Sequence, residues 1–397
     1  MLKSLIRYHL IPILFALFAA ISVVYIVMEG FYVEPEYELL TVEGTQEKIR
    51  GKYSNLLEGE QAEIDLLGSL KKSNQITIFG SSELSLSDYA SYHFLPDSIG
   101  IPALGFGHAY HQNLSILIEL LAAKDYLKES KVCILLSPGW FNTNGTNVEA
   151  FIEFAQPNLI NKIWNDTSIS YKYKMHIGRY IHQNYSHING VSPNMDRLKN
   201  MYVKDKDLGI YHKSRNFLIQ NLIGERKQTN TTYEVEVIAN SVNRTWNGDF
   251  EESKRILQKE FVSKITNNEI YVYDDYFSKY LAKEDGTFNL RPIQIVELDG
   301  REEYNDFLLV LQFLKEMQVN ASFVIQPFNP YFYSGTEDYA KVMNRVERDI
   351  AGYGFPSLNM YVPKKEDYQP ATLKDVMHLG DYGWMTINEF LMETYHE

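Results

Sequence analysis

The feature that most limits the fold of this chain is a set of short, nearly all-apolar runs separated by helical patterns. Ile76-Thr77-Ile78-Phe79 is β-branched and aromatic and stops at Gly80-Ser81-Ser82-Glu83-Leu84. Val132-Cys133-Ile134-Leu135-Leu136 is a second such run, stopped by Ser137-Pro138-Gly139. Between them, Leu114–Leu127 places apolar residues at helical spacing, among them Leu114, Ile118, Leu121 and Ala122. A later stretch repeats the order as helix Tyr304–Met317, strand Ser322–Ile325 and helix Tyr339–Ile350. Strands apolar on both faces that alternate with helices predict a parallel sheet covered on both sides. The expected class is therefore α/β, with three layers, α/β/α, over 71–397. Residues 151–290 break the rhythm. Rich in Asn, Tyr, Lys and His, they are expected to form a mostly helical insertion between the third and fourth strands of the sheet.

Charge and cysteine content remove several function classes. Among 397 residues, 38 Lys and Arg stand against 51 Asp and Glu, a formal charge of −13 at pH 7. A general electrostatic grip on nucleic acid is excluded, and any contact with a polyanion has to be local. The single cysteine, Cys133, permits no internal disulfide and none of the cysteine-based zinc patterns. It lies inside an apolar run and reads as a small core residue. No phosphate-binding glycine loop and no dinucleotide fingerprint follows a strand, so no cofactor is expected. His108 and His111 stand three apart but lack a nearby carboxylate run; they read as pocket or structural residues, and no metal is expected.

The N-terminal segment sets the expected compartment. Leu10–Met28 runs 19 residues without a charge, about 28 Å as a helix, close to the thickness of a bilayer core. Lys3 and Arg7 precede it, and Glu29, Glu34, Glu36 and Glu38 follow. By the positive-inside rule, 1–30 comprises a cytoplasmic tip and a single membrane-spanning anchor in the plasma membrane, and the rest lies outside the cell. Residues 31–70 read as a juxtamembrane helical stalk. Ala16, Ala19 and Ala20 also suit a signal-peptide cleavage region, but the apolar run continues past them through Val23, Val24 and Ile26.

In open parallel sheets ligands bind at the carboxyl ends of the strands. Two segments are expected near such ends. Gly80-Ser81-Ser82-Glu83-Leu84 puts a serine at a tight strand-to-helix turn, where backbone N–H groups point at any oxyanion formed on it. Asp375-Val376-Met377-His378, on a short turn at the last helix, spaces a carboxylate and an imidazole to hydrogen-bond. The acid can then orient the ring and stabilise the imidazolium formed when histidine takes a serine proton. Asp381 also stands three residues from His378, with Gly380 signalling a turn between them. Each segment alone is common loop chemistry; together they give a serine hydrolase in the order Ser, Asp, His.

That order around a parallel sheet resembles the SGNH/GDSL hydrolases, with Gly80-Ser81-Ser82 in place of Gly-Asp-Ser. The resemblance is closer still to the DltD family of teichoic acid D-alanylation in Gram-positive bacteria. It is carried by the N-terminal apolar run, Phe79-Gly80-Ser81-Ser82-Glu83-Leu84, Leu104-Gly105-Phe106-Gly107, Ile134-Leu135-Leu136-Ser137-Pro138-Gly139-Trp140-Phe141, and Asp375 through Trp384. It implies Ser82 as nucleophile, His378 as general base and Asp375 as orienting acid. It also implies a membrane-anchored acyltransferase that receives D-alanine, with a membrane-bound O-acyltransferase and a D-alanyl carrier protein as partners, and esterifies lipoteichoic acid. The SGNH pattern is incomplete, because no asparagine stands in the third block. The oxyanion donors are therefore assigned to backbone N–H groups at Ser82 and near Gly107 and His108. Ser81, Glu83, Trp140 and Trp384 are candidate walls of the substrate pocket, although Trp140 and Trp384 equally suit a role sealing helices against the sheet. A surface esterase or thioesterase of the same fold, or a scaffold without catalysis, are the alternatives.

Overall fold

A computed structural model describes residues 70, 74–84, 87–107, 109–142, 145–155, 157–204 and 248–395, with Ile13, Ala16 to Ala20 and Ser22 near the N-terminus. All of the expected stalk but Leu70, and most of the expected anchor, lie outside the described residues. Ile13, Ala16 to Ala20 and Ser22 are helical, and Ile13, Leu17 and Phe18 expose their side chains. Among the described residues, no helix is long and apolar enough to cross a membrane.

The described residues divide into two compact units, a sheet unit drawn from 39–155 and 235–397 and a helical unit drawn from 1–38 and 156–234. The sheet has five parallel strands: β1 (Ile76–Phe79), β2 (Ala103–Phe106), β3 (Lys131–Leu136), β4 (Asn320–Ile325) and β5 (Ser357–Asn359), in the order β2-β1-β3-β4-β5. Registers are continuous, with Ile76 opposite both Ala103 and Lys131, and Lys131 opposite Asn320. Every residue of β1 and β2 is buried, as are Val132–Leu136 of β3 and Ala321–Ile325 of β4. This explains their continuous apolar sequences.

Helices cover both faces. On one, α1 (Asn113–Ala122) packs against α6 (Glu302–Glu316), which also contacts α7 (Thr336–Tyr353). Phe307 of α6 stands edge-on to Phe323 of β4 and to Phe141 after β3, with ring centroids 6.4 and 5.6 Å apart. On the other, Ile76, Ile78, Cys133, Leu135 and Val324 share one core with Trp384, Ile387 and Leu391 of α8 (Asp381–Tyr395). The alternation along each strand thus feeds two cores, giving the three layers. At the end of α8, the Tyr395 hydroxyl meets Val132 O at 2.7 Å, Ser322 Oγ at 2.8 Å and Asn320 O at 3.1 Å, tying the helix to two central strands.

The stretch 151–290 divides between the units. Its first part holds α2 (Pro157–Asn165), α3 (Tyr171–Gln183) and α4 (Pro193–Lys204). There Gly178 lets α4 approach so closely that a Cβ would lie 2.3 Å from Leu198 O. The later helix α5 (Phe250–Ser263), capped by Asp249 accepting from Glu252 N at 3.0 Å, belongs to the sheet unit. It packs on α8, where Lys254 Nζ reaches Glu389 Oε2 at 2.9 Å.

Candidate active site

In a parallel sheet of this order the chain leaves β1 and β3 toward opposite sides, which opens a crevice outside their carboxyl ends. Gly80 through Leu84 follow β1 at that point. Leu84 N donates to Ser81 O at 3.0 Å, closing a turn with Ser82 and Glu83 at its corner. Gly80 N donates to Phe106 O at 3.0 Å, and the Tyr92 hydroxyl donates to Leu84 O at 3.0 Å, so entry and exit of the turn are both fixed. The two serines differ in exposure. Ser81 is buried, and Ser82 is half-buried with access to solvent. Ser82 Oγ makes no hydrogen bond to another described residue, a geometry common before substrate completes a site.

Asp375 and His378 lie on a short looped turn just before α8, which begins at Asp381. Lys374 N donates to His378 O and Gly380 N to Thr372 O, each at 2.9 Å, and Leu373 bridges Leu379, which closes the loop on itself. The reason is Gly380. Its Cβ position lies 2.3 Å from Ala371 O, so the chain turns tightly there and α8 begins only at Asp381. Asp375 Oδ2 meets His378 Nδ1 at 2.7 Å, while Oδ1 accepts from Met377 N at 2.9 Å and His378 N at 2.8 Å. A carboxylate only accepts, so Nδ1 carries a proton and Nε2 of the neutral ring holds the lone pair. Burial works against the charge of Asp375; the bonds from His378 and Met377 outweigh it and hold the carboxyl below its usual range. Asp381 instead takes a 2.9 Å bond from Ser87 Oγ, and burial raises its pKa. The carboxylate that hydrogen-bonds the His378 ring is Asp375.

Several contacts bring the serine turn and the histidine loop to one place. Ser87 and Asp381 join the segments just beyond each. Leu84, Leu373, Leu379 and Trp384 share a core. Glu83 is buried, and burial pushes its carboxyl up against the pull of the backbone N–H groups of Glu83 and Ser81, the Gln326 amide and the charge of His378. Gln326 and the tyrosines around Asp375 were not foreseen. Gln326, directly after β4, is buried. Tyr276 is pushed up to about 12 by burial and by Asp375, and Asp375 also raises Tyr333 and Tyr368 behind their own burial. Gln326 follows directly on an apolar strand, the one sequence signal that could have found it.

The remaining predicted residues fall into distinct positions. Gly107 adopts φ +140°, and a Cβ there would lie 1.8 Å from Gly80 O, so the end of β2 rests on the serine turn through bare backbone. His108 lies outside the described residues. Trp140 is buried in the turn Pro138–Asn142 that follows β3. Trp384 is fully buried and edge-on to Tyr92 at 5.9 Å, which makes it a packing residue between α8 and the core, not a pocket wall. Burial pushes the Cys133 thiol up to about 12, leaving it unreactive at neutral pH. Among the described residues no three His, Cys, Asp or Glu side chains gather as a metal site.

The sequence profile of a family described as DltD protein matches residues 64–396. The chain is similar to Protein DltD of Bacillus subtilis (strain 168), with 23% identity over 368 residues that cover 82% of this chain and 83% of that protein. It is also similar to Protein DltD of Staphylococcus aureus (strain NCTC 8325 / PS 47), with 20% identity over 324 residues, 79% of this chain and 78% of that protein.

Proposed function

Because the chain belongs to the DltD family, whose profile spans 64–396, we propose that it is a serine-dependent acyltransferase of teichoic acid D-alanylation. The observation that carries this reading is the 2.7 Å Asp375–His378 pair, set at the same end of the sheet as the half-exposed Ser82. In this reading the sheet is an SGNH-hydrolase-like scaffold.

The chemistry runs in two halves. His378 Nε2 takes the Ser82 proton as Oγ bonds to the carbonyl carbon of a D-alanyl ester or thioester. The carbonyl electrons move to oxygen, where the backbone N–H groups of Ser82 and Gly107 stabilise the charge. The intermediate collapses, the donor's oxygen or sulfur leaves with the proton from His378, and D-alanine remains on Ser82. A hydroxyl of the polyol phosphate chain of lipoteichoic acid then gives its proton to His378 and attacks the acyl-serine. Ser82 leaves and recovers a proton from His378. Asp375 holds the ring in one tautomer throughout and offsets the imidazolium charge.

The donor arrives with the help of a membrane-bound O-acyltransferase and a D-alanyl carrier protein, and Leu10–Met28 anchors the enzyme in the plasma membrane beside them. Each ester adds an ammonium group to a polyanion and makes the cell surface less negative. The test is complementation of a deletion strain with wild type, Ser82→Ala or Ser81→Ala at matched protein levels, reading D-alanyl ester on lipoteichoic acid. Ester restored by wild type and Ser81→Ala but not by Ser82→Ala supports the reading. Restoration by Ser82→Ala overturns it and leaves a scaffold.

A further inference from the structure

The serine turn rests on a buried ionic group that the triad does not use. His111, fully buried at the end of the loop after β2, places Nδ1 2.9 Å from Gly80 O and Nε2 3.1 Å from Glu119 Oε2 on α1. A backbone carbonyl has no proton to give, so Nδ1 donates to Gly80 O. The Glu119 carboxylate beside Nε2 raises the pKa of the ring and favours a second proton there, which Nε2 then donates to Glu119. Gly107 leaves room for it, since a Cβ there would stand 2.9 Å from His111 Nδ1.

The peptide that His111 grips is the one leading into the nucleophile. Gly80 O and Ser81 N belong to a single planar unit. His111 holds its carbonyl from one side, and the buried Glu83 carboxyl faces its N–H from the other. Rotation of that plane would swing Ser82 away from His378. We propose that His111 is a positioning residue of this site, which locks the Gly80–Ser81 peptide by donating from both ring nitrogens, to Gly80 O and to Glu119. The inference rests on the reading of Ser82 as the nucleophile.

The charged groups facing the ring are Glu119 from α1 and Glu83 from the turn, and His378 in turn faces Glu83. Burial alone would lower the pKa of His111. The Glu119 carboxylate, followed by Gly80 O and Glu83, outweighs burial and raises it. The lock is complete below that raised pKa and is lost as pH rises through it. Labelling of Ser82 should thus fall on an alkaline limb set by His111.

The experiment labels the full-length protein in detergent with a fluorophosphonate probe across pH and follows the rate at Ser82, with melting temperature as a folding control. His111→Ala should label at least about tenfold more slowly. His111→Asn keeps a donor toward Gly80 without a titrating ring, so it should recover most of the rate and lose the alkaline limb. Glu119→Gln should move that limb down by about one pH unit or more, because burial is then less opposed. Where His111→Ala fails to fold, the other two variants decide. A wild-type alkaline limb in Glu119→Gln or in His111→Asn overturns the inference, as does wild-type labelling of folded His111→Ala. Undiminished labelling of Ser82→Ala would instead overturn the nucleophile assignment, so the two failures are distinguishable.

Discussion

Replacing Asp375 by Asn tests the orienting role in isolation, because the substitution keeps shape and removes one proton acceptor. Three hydrogen bonds end on the carboxylate, two from the backbone N–H groups of Met377 and His378 and one from the His378 ring at 2.7 Å. The amide oxygen of Asn can keep the two backbone bonds. Its NH2 group then faces Nδ1, captures that lone pair and drives the ring proton to Nε2. In that tautomer Nε2 has nothing with which to accept the Ser82 proton. The equivalent change in the serine protease triad costs about 10,000-fold in kcat, which is roughly 5 kcal/mol of transition-state stabilisation. His378 is partly exposed here, with 27% of its side chain accessible, and water can assist reorientation, so a loss of about 100- to 10,000-fold is expected. The ring bond survives only as a neutral one, lowering stability by about 1 kcal/mol. The wild-type carboxyl is held below its usual range, so its contribution is present at neutral pH and fades as pH falls through the folded pKa. The assay pairs D-alanyl transfer with urea unfolding at neutral pH. A folded Asp375→Asn protein that transfers within about threefold of wild type would refute the reasoning.

Three further substitutions probe the scaffold. Gly107→Ala places a Cβ 1.8 Å from Gly80 O at φ +140°, so it should lose at least about 3 kcal/mol in urea unfolding or fail to accumulate; a change under about 0.5 kcal/mol would contradict the close approach. Tyr395→Phe removes the hydroxyl shared with Val132 O, Asn320 O and Ser322 Oγ and should cost about 1–3 kcal/mol by the same measurement. Glu303 is buried, accepts from Asn113 N at 3.0 Å and Nδ2 at 2.8 Å, and is raised well above the usual carboxylate range by burial and by Asp306. Above that usual range the unfolded chain releases the proton while the fold retains it, so stability falls as pH rises until the raised pKa is passed. Melting temperature of Glu303→Gln should vary less with pH than that of wild type over that window, and identical profiles would count against the buried carboxyl.

How far the fold was legible depends on where each signal resides. β1, β3 and β4 announce themselves because burial on both faces demands unbroken apolar runs, as in Val132–Leu136 and Ala321–Ile325. β5 does not: Ser357-Leu358-Asn359 lies half-buried at the sheet edge, where one face meets solvent and polar residues cost little. The Asp375–His378 pair was readable because both ends of the bond sit within four residues. Gly380 marked the turn as well; what the sequence did not show is how closely Ala371 O approaches it. Trp384 suited a pocket wall and a seal of helix against sheet equally, and only its packing on Tyr92 shows that it faces the core. His111 could be seen as a histidine near a glycine block. Its partner Gly80 lies 31 residues away, and the contact exists only after β2 has paired with β1. Local bonds can be read from a sequence; bonds created by strand pairing have to be seen.

The central claim is that D-alanine passes through Ser82. The most direct measurement is acid-quenched peptide mapping by mass spectrometry of the full-length protein, isolated from cells fed isotopically labelled D-alanine. A labelled alanyl group is expected on the peptide that carries Ser82, accumulating when acceptor is limiting and absent from Ser82→Ala. Lipoteichoic acid that gains labelled ester in cells producing only Ser82→Ala, with no alanyl group on the wild-type serine, would contradict it.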